Sequence, residues 1–135
     1  MCVCVTVTVS VRVGYAAVYA DGVRLGYIWQ HTVTRDFSIP SNTRLLAVYA
    51  DNHDGGDYGF ILRLSSGFVT DASWRCIGTG YTDWDTPGYD DSHWPSAVII
   101  PKPASWPAHN LNPAQIIWVA DSTDIEIFCR AWYSK

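Results

Sequence analysis

The chain reads as an all-β domain of the sandwich or barrel type, and three observations predict it. From Val3 to Val13 every odd position is valine, and the even positions carry Cys4, Thr6, Thr8, Ser10 and Arg12. A period of two describes a strand with one buried and one wet face. Composition agrees: seven Trp and eight Tyr stand beside one Met, twelve of the thirteen acids are Asp, and only two residues are Lys. β-branched, aromatic and turn residues therefore replace the long helix formers. Finally, turn signals separate about eight to ten short apolar runs along the chain, as sandwiches and barrels require.

After the valine strand, Tyr15–Tyr19 and Val23–Tyr27 form a hairpin whose turn signal is Asp21-Gly22. A strand pattern from Trp29 through Phe37 ends at Ile39-Pro40, and Ser41-Asn42-Thr43 is a turn. Arg44–Tyr49 is nearly continuously apolar and reads as a central strand. Phe60–Leu64 and Phe68–Thr70 pair around Ser65-Ser66-Gly67, and Ser73–Ile77 is a further short strand. Residues 78–115 are a long tract rich in Trp, Pro and Gly, expected to be ordered by its own large side chains, with one helical turn at Ser92–Ala97 capped by Asp91 or Ser92. Gln115–Ala120 and Thr123–Tyr133 close the chain. First and last strands of this length often pair, which would bring Cys2 or Cys4 near Cys129.

The length of 135 residues fits one domain, 1–135, able to bury its own core. A net charge of −4 with scattered arginines speaks against a nucleic-acid partner. No run of about 20 apolar residues predicts insertion in a membrane. The alternating start is not the continuous apolar region of a signal peptide, so either the chain is not exported or a leader has been removed. Four cysteines, Cys2, Cys4, Cys76 and Cys129, allow three pairings, lack zinc spacing, and as structural cystines would suit a secreted, extracellular protein.

The chemistry concentrates in the loop from Asp51 to Asp57, where Asp51, Asn52, His53, Asp54 and Asp57 surround Gly55-Gly56. Three carboxylates and an amide in a tight turn make a natural site for Ca²⁺, which takes six to eight oxygens. His53 at the loop tip can hydrogen-bond a sugar, and Trp74 can offer a flat apolar face. Each residue also has a plainer reading. Asp51, Asn52 and Asp21 are ordinary turn residues, and Trp74 can be core. Catalysis has less support. No nucleophile motif occurs, and Asp85 with Asp90 or Asp91 would need a separation that the sequence does not fix. The chain therefore reads as a binding protein and not an enzyme.

Several segments, in order, resemble the galactose-binding-domain-like β-jelly rolls, found as carbohydrate-binding modules of α-L-rhamnosidases and in invertebrate lectins. They are Val18–Gly26, Phe37–Pro40, Leu45–Asn52, Phe68–Arg75 (FVTDASWR), Tyr89–Ala97 (YDDSHWPSA), Ile117-Trp118 and Phe128–Arg130. The pattern departs where the usual hairpin Asn is Ala20 or Asp21. The resemblance implies a Ca²⁺ held by Asp21, Asp51 and Asn52, with Asp51, Asn52 and Trp74 contacting a terminal galactose or rhamnose; His53, by its place at the loop tip, is the further expected sugar contact. One weak site per chain would call for avidity, hence an expected homodimer, with Cys2 or Cys4 available as a bridge. The other reading is an ancillary or adhesion module that binds protein, with the acidic loop only structural.

Overall fold

The computed structural model describes residues 4–11, 14–29, 34–52, 59–78, 80, 82–101, 111, 113–120 and 126–133. Among the described residues there are ten strands: β1 (Cys4–Val11), β2 (Tyr15–Ala20), β3 (Val23–Trp29), β4 (Arg35–Pro40), β5 (Leu45–Asp51), β6 (Phe60–Leu64), β7 (Arg75–Ile77), β8 (Val98–Ile100), β9 (Ile116–Trp118) and β10 (Glu126–Trp132). They form two five-stranded antiparallel sheets, ordered β4-β1-β6-β9-β8 and β3-β2-β5-β10-β7. Among the described residues there is no helix long and apolar enough to cross a membrane.

One buried cluster draws on both sheets, so they pack face to face as a β-sandwich. Val5, Val7, Val9 and Val11 supply the inner face of β1; Ala16 and Val18, Leu46 and Val48, and Ile127 and Cys129 supply that of the second sheet. Each fully buried valine or leucine side chain contributes about 1.5–3 kcal/mol.

The Asp21-Gly22 turn has positive φ at both residues, 48° and 84°, as a two-residue hairpin of matching twist needs. The helical turn expected at Ser92–Ala97 is instead a β-turn: Trp94 N donates to Asp91 O at 2.9 Å, and Ser96 bridges to Arg75. Asp90 caps it, its carboxylate accepting Ser92 N at 2.9 Å. Two pairings also differ from expectation. Trp29 ends β3 in one sheet, whereas Phe37 lies in β4 of the other. The first and last strands lie in different sheets, so Cys4 is not brought to Cys129 by strand pairing, and Cys2 lies outside the described residues. Cys129 stands directly opposite Cys76 on β7, with Cα atoms 4.1 Å apart, and the two form a disulfide. Cys4 is disulfide-bonded as well and is not a free thiol for cross-linking two chains. Disulfides fit an oxidising compartment.

Candidate functional site

Strand register assembles a row that sequence order does not reveal. Trp29 on β3 faces Tyr15 on β2, Tyr15 faces Asp51 on β5, and Asp51 faces Glu126 on β10. Opposed residues share a face, and the intervening Ala16, Ala50 and Ile127 point into the core. The row therefore lies on the outer surface. The next outward row holds Tyr27, Ala17, Tyr49 and Phe128.

The rings of these two rows touch. Trp29 and Tyr15 have centroids 5.4 Å apart, Tyr15 and Tyr49 5.8 Å, Tyr15 and Tyr27 5.9 Å, and Tyr27 and Trp29 5.6 Å. Small, buried Ala17 lies among them and leaves room for the rings. Trp29 is 55% exposed and Tyr27 37%, so the ledge is open to solvent. Trp29 is the only exposed tryptophan among the described residues. Arg24 places its guanidinium 5.8 Å from the Tyr27 ring at one rim. At the other, Asp51 and Glu126 oppose each other, and the Tyr49 hydroxyl donates to the Glu126 carboxylate. Partial burial, then that hydrogen bond and the nearby carboxylates, push the Tyr49 hydroxyl well above the usual phenol range. It stays a proton donor at neutral pH.

A wall bounds the ledge. Residues 82–97 lie over the rest of this sheet face and are tied down by Arg130, which is 1% exposed. Its Nε donates to Asp91 Oδ2 at 2.6 Å, Nη1 to the carbonyls of Trp84 and, at 3.1 Å, Thr86, and Nη2 to the carbonyl of Tyr89 at 3.2 Å. Arg75 adds a bond to the Trp94 carbonyl at 2.7 Å. Trp84 packs edge-on against Phe128 and Tyr19, with centroids 5.1 and 5.4 Å apart. Residues 82–97 are thus held by aromatic side chains and also by one buried cation that satisfies loop carbonyls; residues 102–110 of the expected tract lie outside the described residues.

Asp21 and Trp74 do not converge with Asp51. Asp21 accepts the backbone N–H of Leu45 at 2.8 Å and of Arg44 at 3.1 Å, which fixes it at the Leu45 end of β5. Asp51 is at the other end, six residues on, about 20 Å away at strand rise. One ion cannot use both. Trp74 has no exposed surface: it packs on Phe60 and Phe68 and donates from Nε1 to the Val69 carbonyl at 3.0 Å. It is a core residue, with no face for a ligand to stack on. His53, Asp54 and Asp57 lie outside the described residues. Asn52 is 7% exposed, and its Oδ1 is a buried acceptor without a partner among the described residues. Such an oxygen fits a hard cation or a donor held by the adjoining loop. Among the described residues no group of three or more His, Cys, Asp or Glu could hold a metal. Asp91, one of the acids considered for catalysis, is held by Arg130.

The ledge residues Tyr15, Tyr27, Trp29 and Tyr49 went unread as a site. Their signal was present: aromatics at period two on the strand face opposite Ala16, Val18 and Val48. No family model, curated protein or solved structure matches the chain.

Proposed function

We propose that this domain is a non-catalytic carbohydrate-binding lectin whose site is the aromatic ledge running into Asp51 and Glu126. The observation that carries the reading is the single outward row Trp29, Tyr15, Asp51, Glu126. A pyranose has an apolar C–H face and a girdle of hydroxyls. Exposed aromatic faces suit the first. Carboxylates, which only accept, suit the second, since every sugar hydroxyl carries a donor.

Calcium belongs to the same proposal. Asp51 and Asn52 would hold it, and the partnerless Oδ1 of Asn52 supports this. The bound ion would supply coordination to neighbouring sugar hydroxyls. Asp21 and Trp74 are not among the residues proposed here. Galactose and rhamnose remain the first sugars to try, and the protein is proposed to be secreted and to act as a homodimer for avidity.

A glycan array read with calcium and again with EDTA tests the reading. Binding that EDTA abolishes supports lectin and ion together; binding that EDTA leaves intact supports the lectin alone. No binding in either condition favours the second reading, a protein-binding module. That reading draws on the exposed apolar side chains of edge strand β3, where Val23 is 64% and Trp29 55% exposed.

A further inference from the structure

We infer that the ledge takes an uncharged oligosaccharide of two or more pyranose units, lying across the strands from Trp29 towards Tyr49; this rests on the carbohydrate-binding reading. The first argument is length. From Trp29 through Tyr15 to Tyr49 the centroid steps are 5.4 and 5.8 Å, and Tyr27 widens the strip beside Trp29. A lone pyranose would cover one ring and part of a second, and would leave the rest of the apolar surface in water. A chain of sugars laid along the strip covers all of it.

The second argument is shape. β3 is an edge strand, so among the described residues the strip runs off the second sheet at Trp29. The opposite end meets the Trp84–Phe128 wall. An open end lets a chain continue past the protein, whereas a closed cup would admit only a terminal residue.

The third argument is charge. Asp51 and Glu126 share the rim of the strip, opposite each other. The Tyr49 hydroxyl donates to one oxygen of Glu126, and the remaining lone pairs of that carboxylate still accept. Hydroxyl donors complement this rim. Uronate or sulfate groups do not complement this end of the strip, where a charged chain would meet both carboxylates; the Arg24 guanidinium lies at the far rim beside Tyr27.

The test is calorimetric titration with neutral glucose, galactose, rhamnose, mannose and xylose oligomers, from monosaccharide to hexasaccharide, with polygalacturonate as the charged control. Calcium is held constant. Affinity for at least one series should rise from monosaccharide to trisaccharide and then level off. Trp29→Ala should weaken trisaccharide binding about tenfold, the loss of one aromatic contact, and should leave the monosaccharide less affected. Tyr27→Ala should act in the same direction. Both side chains are exposed, so unchanged circular dichroism and melting temperature confirm an intact fold. A monosaccharide that binds as tightly as every oligomer would overturn the inference and leave the lectin standing. So would an unaltered Trp29→Ala variant, or polygalacturonate binding as tightly as the neutral chains. Failure of every saccharide to bind would overturn both the inference and the proposed function.

Discussion

Arg130 Nε and Asp91 Oδ2 meet at 2.6 Å across 39 positions of sequence, the arginine side chain fully shielded from water and the aspartate 15% exposed. A buried guanidinium is costly unless every donor is used. Here three further hydrogen bonds go to the loop carbonyls of Trp84, Thr86 and Tyr89, so one residue of β10 fixes a tract with almost no regular structure. Asp91→Ala would strand that charge. The expected loss is about 3–5 kcal/mol of unfolding free energy in urea. A loss below about 1 kcal/mol would show that water reaches Arg130 in its place.

Gly80 meets the face of Phe128. A Cβ there would sit 2.4 Å from Cε2 of that ring, whereas a Cβ on Gly88 would meet nothing within 4 Å. Gly80→Ala should cost about 1–3 kcal/mol, the usual range for overpacking. Gly88→Ala should stay within about 0.5 kcal/mol of the parent. Equal effects at the two positions would mean that the tract does not rest on Phe128.

The Cys76–Cys129 bond closes a separation of 53 residues between neighbouring strands. Loop-closure entropy for that length predicts that Cys76→Ala with Cys129→Ala lowers stability by about 4 kcal/mol. Thermal unfolding of the double variant checks this. An unchanged melting temperature would contradict it.

The hydroxyl of Tyr49 titrates above its ordinary value of 10.0, first through burial and then through Glu126. The raised value belongs to the folded state, so the unfolded chain releases this proton first. The contribution of Tyr49 is therefore complete below about pH 10 and is lost as pH rises through its folded value. Tyr49→Phe should flatten the fall of stability above pH 10. An identical pH profile for parent and variant would remove Tyr49 from the account.

Regular strands were legible because their pattern is local. Valines at period two gave β1, and Asp21-Gly22 gave the first hairpin. Strand β8 was hidden because Val98–Ile100 is three residues long and sits between Pro95 and Pro101 in a tract dominated by turn residues. Asp21 does not join Asp51 because the two flank antiparallel strands at opposite ends, a relation that chain order does not encode. Trp74 carried the right residue type but lies on an inward position. The ledge needs the register of β3, β2, β5 and β10 together, and Trp29 is separated from Glu126 by most of the chain.

The most direct test of the account is an amide and indole NMR titration of the isotope-labelled protein with the tightest-binding neutral oligosaccharide. The account predicts the largest shifts at the Trp29 indole N–H and at the backbone of Tyr15, Tyr27, Tyr49 and Asp51. Shifts confined to the outer face of the β4-β1-β6 sheet, or an unperturbed Trp29 indole at saturation, would contradict it.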